Sequence, residues 1–217
     1  PTLTPTLTPT LTPTLTPPSP QPSPSQNNGC FALFSLVDGT DESAEERRQR
    51  VAAAGAIPLL VAALSLNLGH AEVQKYGCAA LSHLVRGSGA KAEQRKQEAH
   101  AVGAVPLVAA ALRAHPQQTD VQKHGCSAMC RIVDGSTAAA AESRRQQAAD
   151  AGVLPLLVAA LRSRPLTAAV QASGCLALGH LAHGEDAAAE ARRQSAATAG
   201  AIPLVVMAMR RCTLGLG

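Results

Sequence analysis

The chain has 217 residues, 46% of them hydrophobic, with a formal net charge of +4. That is enough for one domain with a continuous core; with no Trp, one Tyr and two Phe, the core is read as Leu, Val, Ile, Ala and Cys. So mild a charge, with almost no aromatics to stack on bases, excludes nucleic-acid binding as the leading function.

Residues 1–16 are Pro-Thr-Leu-Thr written four times, and a Pro/Ser/Gln/Asn stretch follows to Asn28. Proline at every fourth position denies the backbone its helix and ladder hydrogen bonds, so residues 1–28 are read as a disordered or polyproline-like tail. The tail carries no charge. Thr4, Thr8, Thr12, Thr16, Ser19 and Ser23 each precede proline, a pattern open to phosphorylation or glycosylation, but a low-complexity linker is the preferred reading. The opening does not resemble a signal peptide, and its start on proline reads as a fragment.

From residue 29 one pattern recurs. Gly77-Cys78-Ala79-Ala80-Leu81-Ser82-His83-Leu84-Val85 has counterparts beginning at Gly29, Gly125 and Gly174, spaced 48, 48 and 49 residues apart. An apolar pair followed by proline recurs at Pro58, Pro106, Pro155 and Pro203, spaced 48, 49 and 48. Repeats of this length built from short helices are the signature of an α-solenoid, whose units bury their apolar faces only against neighbours. The predicted fold is therefore all-α over residues 29–217. A lone third helix at 29–37 precedes three full three-helix units and a final two-helix piece ending near Arg211.

The first helix of each unit is predicted over Glu45–Ala54, Glu93–Val102, Glu142–Ala151 and Glu190–Ala199. Each carries Arg-Arg-Gln or Arg-Lys-Gln after a glutamate in the first turn. That order suits the helix dipole and predicts a solvated face. Gly55, Gly103, Gly152 and Gly200 are expected to end these helices in the left-handed conformation. The second helix is predicted to begin at the proline, as in Pro-Leu-Leu-Val-Ala-Ala-Leu at 58–64 and 155–161, and to be buried on most sides. The uncharged stretch Val51–Gly69 has the length of a membrane span, but its later copies carry Arg113, Asp150 and Arg162 together with the same Gly and Pro breaks. It is read as two short buried helices and not as a membrane segment.

The third helix is predicted over about Ala71–Arg86, 119–134 and 168–183. At 100° per residue, Val73, Gly77, Leu84 and Val85 fall within about 80° of Leu81 and face the core, while Lys75, Ala79, His83 and Arg86 share the opposite side. A glycine inside this helix costs about 1 kcal/mol relative to alanine, so its recurrence predicts a crossing too close for a methyl group. Cys30, Cys78, Cys126 and Cys175 follow that glycine; one layer apart, roughly 8–10 Å, they are too distant for a strain-free disulfide. They are read as small core residues in a reducing, intracellular compartment, cytoplasmic or nuclear. Cys126 and Cys130, four apart on one helix, lack a recurring His or acidic partner, so no metal and no cofactor is expected.

Gly55-Ala56-Ile57-Pro58-Leu59-Leu60-Val61 and Val73-Gln74 … Ala80-Leu81-Ser82-His83-Leu84 resemble, respectively, the second- and third-helix signatures of the armadillo repeat family. The resemblance covers residues 29–217. It implies a right-handed superhelix of three-helix units whose third helices line a concave groove for extended peptides. Nuclear import adaptors of that family hold basic signals with a Trp and an Asn on the third helix. Here the Trp positions are Phe31, Ala79, Ser127 and Leu176, and the Asn positions Ser35, His83, Arg131 and His180. Neither ladder survives, and Lys75, Arg86, Lys123 and Arg131 oppose a basic ligand.

The leading functional expectation is a non-enzymatic protein-interaction scaffold. Its groove is lined by Lys75, Ala79, His83, Arg86, Lys123, Ser127, Arg131, Leu176 and His180, and takes an acidic or phosphorylated segment. The alternative is a regulatory piece of a larger enzyme, such as an armadillo-containing ubiquitin ligase or kinase. A catalytic pair of Cys130 and His83 is the third reading. Both ends read as apolar and incomplete, so the fragment is expected to belong to a longer array or to associate end to end.

Overall fold

A computed structural model of the chain describes residues 24–135 and 138–213. Among the described residues there are twelve helices and no strand. They are α1 (Pro24–Val37), α2 (Glu42–Ala53), α3 (Ala56–Leu66), α4 (Ala71–Leu84), α5 (Ala90–Ala101), α6 (Ala104–Ala114), α7 (Thr119–Val133), α8 (Ala138–Asp150), α9 (Val153–Ser163), α10 (Ala168–Ala182), α11 (Ala187–Thr198) and α12 (Ala201–Thr213). The chain is all-α, as the periodicity predicts. The expectation for the Pro-Thr-Leu-Thr run falls on residues outside this description. Residues 24–28, read from sequence as tail, belong to α1: a proline that opens a helix forfeits no hydrogen bond, because first-turn N–H groups have no helical partner.

The boundaries follow from local chemistry. Asp41 and Asp186 cap α2 and α11 by accepting from Ala44 N at 3.0 Å and Ala189 N at 2.8 Å. Gly55, Gly103, Gly152 and Gly200 take φ between 71° and 89°, the expected left-handed turn between first and second helices. The second helices begin two residues before their prolines. Pro58 therefore lies third in α3, still within the turn that needs no N–H donor. At that junction α2 and α3 bend by 70°, which breaks up the Val51–Gly69 stretch. Among the described residues no single helix is long and apolar enough to cross a membrane. Ile57, Leu60, Val61 and Leu64 of α3 are buried in the protein's own core.

The third helices pack together. The most extensive contacts join α1 to α4, α4 to α7 and α7 to α10, so the third helices lie side by side in one row. Each third helix also rests on the second helix of its own unit, through the glycine singled out in the sequence. A Cβ at Gly77 would lie 2.7 Å from Leu64 Cδ2, one at Gly125 2.7 Å from Leu112 Cδ2, and one at Gly174 2.9 Å from Leu161 Cδ2. The glutamine three residues earlier fastens the same crossing. Gln74 Nε2 donates to the Leu64 and Asn67 carbonyls, both at 2.8 Å, and Gln122 and Gln171 do the same one and two units on. These bonds occupy carbonyls that the end of the second helix leaves without helical partners.

The first helices keep a solvated face, but most of their arginine pairs do not lie on it. Arg48, Arg95, Lys96, Arg144, Arg145 and Arg192 are buried. The leading arginine of each pair turns back onto the third helix that precedes it. Arg47 donates to the Leu36 and Asp38 carbonyls, Arg95 to Leu84 and Arg86, Arg144 to Asp134, and Arg192 to Leu181 and His183. The same guanidinium reaches the previous unit's first helix. Arg95 Nη2 is 2.8 Å from Glu45 Oε1, Arg144 Nη2 2.7 Å from Glu93 Oε1, and Arg192 Nη1 2.6 Å from Glu142 Oε1. Gln49, Gln97 and Gln146 accept from the same three arginines. Burial pushes the Glu45 carboxyl up, but hydrogen bonds from Arg95 and Arg48 outweigh it and hold the group below its ordinary value. The planar five-donor guanidinium can serve helix-end carbonyls and a carboxylate at once, and this explains why it is buried.

Three outcomes follow. Gly125→Ala gains about 1 kcal/mol of helix propensity but meets Leu112, and overpacking costs about 1–3 kcal/mol, so thermal unfolding should show a net loss. Gly29→Ala, with nothing within 4 Å of its Cβ position, should show none. Arg144→Ala leaves Glu93 without its partner and should lower stability in denaturant titration by about 3–5 kcal/mol.

Candidate functional site

The row of third helices carries every residue of the predicted groove, although Arg86 lies just past the end of α4. Phe34 of α1 reaches His124 of α7 across the intervening α4, ring centroids 6.2 Å apart. Phe34 also stands edge-on to His83 at 5.2 Å, and Phe31 edge-on to Tyr76 at 5.0 Å. All three Phe and Tyr residues of the chain thus converge where α1 meets α4. Edge-to-face pairs at these distances are worth about 0.5–1.5 kcal/mol each beyond their burial. Lys75 Nζ adds a cation 4.6 Å above the Tyr76 ring.

This cluster changes the predicted site. Tyr76, Ala79 and His83 share one face of α4, and Phe34 rests against the first and the last. Ala79 between them is only 1% exposed. Ala79 is therefore core and lines no open groove, a correction that a one-helix wheel cannot anticipate because the cover comes from another helix. Phe34, Tyr76 and His124 went unrecognised in the sequence. The available signal was their rarity: three Phe and Tyr residues in 217, two on the isolated helix and one on the next third helix, are placed to meet.

The predicted cations are partly spoken for. Lys75 lies 3.4 Å from Glu72 Oε2 and 3.7 Å from Asp120 Oδ2, and Lys123 lies 3.8 Å from Asp120 Oδ1. Arg131 Nη1 donates to the Ser82 carbonyl at 2.9 Å and to Ser82 Oγ at 3.1 Å; Ser127 Oγ lies 3.5 Å from the same hydroxyl. These contacts sew α7 to α4. His83 Nδ1 is 3.2 Å from Asp38 Oδ1, and His180 Nδ1 is 3.8 Å from Asp134 Oδ1. Burial lowers the pKa of both imidazoles despite those carboxylates, so they are neutral near pH 7. Burial, with Lys123 next, pushes His124 down to about 4. The open part of the face lies over α7 and α10, where Lys123 is half-exposed and Leu176 is 55% exposed.

The thiols behave as core groups. Burial raises Cys78 and Cys126 to about 12 and Cys130 to about 11, so none is a thiolate at neutral pH. Comparison with family models, curated proteins and solved structures finds no match.

His124 sets a pH response. Its folded pKa lies below the unfolded value of about 6.5, so the unfolded chain takes up the proton first. Stability should be full above about pH 6.5 and fall progressively towards pH 4, with His83 and His180 contributing in the same direction. Melting temperatures between pH 7.5 and 5 should show the decline, and His124→Phe should flatten part of it.

Proposed function

We propose that the chain is a right-handed α-solenoid of armadillo-like units acting as a non-enzymatic protein-interaction scaffold. The ligand is an extended acidic or phosphorylated segment lying along the face of the third helices. The observation that supports this reading is the row α1–α4–α7–α10, which repeats the same register positions from helix to helix. Such a surface suits an extended chain, whose side chains can meet equivalent positions one unit after another.

The charge of the face favours an acidic ligand. Lys75 and Lys123 share the one carboxylate of Asp120 between them, and Arg131 is held by the Ser82 carbonyl and hydroxyl and not by a carboxylate. Leu176 offers an apolar anchor. The N-terminal end is occupied by the Phe31–Phe34–Tyr76 cluster, so the segment runs over α7 and α10. A binding role is also favoured over a Cys130–His83 catalytic pair, because that thiol is 6% exposed and protonated.

The test uses the full chain and matched acidic and basic peptides in fluorescence anisotropy. The acidic peptide should bind more tightly, and more so at low salt, since exposed charges are screened beyond about 8–10 Å at physiological ionic strength. Replacing Lys123 and Arg131 of α7 by Glu should weaken it at least roughly tenfold, about 1.4 kcal/mol, with helicity unchanged. Tighter binding of the basic peptide would overturn the reading.

A further inference from the structure

The crossings and junctions inside the chain are built from three repeated contacts. Each contact also occurs as two unmatched halves, one at either end of the helical row. The first is the leucine of the second helix against the glycine of the third: Leu64 on Gly77, Leu112 on Gly125, Leu161 on Gly174. The same register positions at the ends are Met209 on α12 and Gly29 on α1. Met209 is 65% exposed, and nothing lies within 4 Å of the position a Cβ on Gly29 would take.

The second contact is the glutamine that donates to the carbonyl of that leucine. Gln26 on α1 holds the donor position, and Met209 supplies the matching carbonyl on α12. The third is the buried arginine that joins a glutamate and a glutamine of the preceding unit. Its unmatched halves are Arg47 at one end and Glu190 with Gln194 at the other. Exposure marks which members have found their partner. Arg95, Arg144 and Arg192 side chains are 2%, 0% and 2% exposed, against 40% for Arg47. Glu45, Glu93 and Glu142 are 33%, 18% and 27% exposed, against 65% for Glu190, which pairs with Arg193 of its own helix.

The end surfaces also match in shape and polarity. Beside Arg47, a depression of about 350 Å³ is lined by Leu36, Arg50, Val51 and Ala54 and is mostly apolar. At the internal junctions the equivalent place is reached by the second helix of the preceding unit: Arg113 and Arg162 donate to the Ala151 and Ala199 carbonyls. At the opposite end of the row, α12 presents Ile202 and Val206, 63% and 42% exposed.

We propose that α11 and α12 of one copy receive α1 and α2 of a second copy, head to tail. The incoming α1 completes the three-helix unit that α11 and α12 begin. Gly29 accepts Met209, and Arg47 pairs with Glu190 and Gln194 across the junction. The two patches differ from each other, so the contact is heterologous and does not close on a dimer: it propagates into open chains. This assembly rests on the unit junctions and is independent of what the groove binds.

Sedimentation velocity on the full chain across roughly micromolar to hundreds of micromolar concentrations tests it by mass action. The weight-average mass should climb from the 22.1 kDa monomer towards multiples of it as concentration rises. Glu190→Arg and Arg47→Glu should each hold the chain at the monomer mass, and mixing the two variants should restore association through the exchanged charges. Gly29→Leu provides a second block on the α1 side, since the open space around Gly29 accommodates the side chain in the monomer but not beneath Met209. A wild-type chain that stays monomeric throughout overturns the proposal. So does association that persists in both Glu190→Arg and Gly29→Leu.

Discussion

The packing of this protein depends on a guanidinium that serves two masters. At each junction between units one buried arginine closes the carbonyl end of the preceding unit's third helix and holds a carboxylate on that same unit's first helix. Removing a guanidinium from water is costly, and burial alone would make these positions unfavourable. The cost is met because the planar fork finds two or more acceptors in fixed places: helix-end carbonyls that carry partial negative charge, and a glutamate with its neighbouring glutamine. Lysine, a single point of charge on a flexible stem, could not reach both sides of the junction.

That constraint orders the rest. Because the arginine fixes the end of each third helix against the next first helix, the third helices line up in one row. Leu64, Leu112 and Leu161 then meet Gly77, Gly125 and Gly174 at one depth. With so few aromatics, the core gains its density from such close approaches instead of from large rings. The exception is the meeting of α1 with α4, where Phe31, Phe34 and Tyr76 concentrate what aromatic area the chain possesses. There the row is closed over by its own side chains, whereas over α7 and α10 it stays open.

Much of this was legible in the sequence, and what was not has a physical cause. The glycine-proline breaks, the register of the three helices and the crowding at Gly77 all follow from backbone conformation, which local residues dictate. The arginine pairs were misread because Glu-before-Arg on a helix is equally the pattern of a solvated surface. Only the reach of the arginine to the end of the preceding third helix and to a glutamate one unit back distinguishes the two, and Arg144, 0% exposed, is the clearest instance. Ala79 failed for a similar reason. A helical wheel gives the face of its own helix but not the neighbouring helices that cover it, and Ala79 is 1% exposed. The break in the stretch Val51–Gly69 was legible because Gly55 and Pro58 forbid one continuous helix whatever surrounds them, but α3 is not buried on most sides as read: Leu59 and Leu66 are 67% and 76% exposed.

The central claim is that the arginine–glutamate contact couples adjacent units. A double-mutant cycle on Arg192 and Glu142, with Ala at each position and stability read by denaturant titration, tests it most directly, because this pair is bidentate at 2.6 and 2.9 Å. Removing both partners should cost less than the sum of the single losses, with a coupling between about 0.5 and 3 kcal/mol. Losses that add to within about 0.3–0.5 kcal/mol would mean that the two side chains act independently, and would contradict the claim.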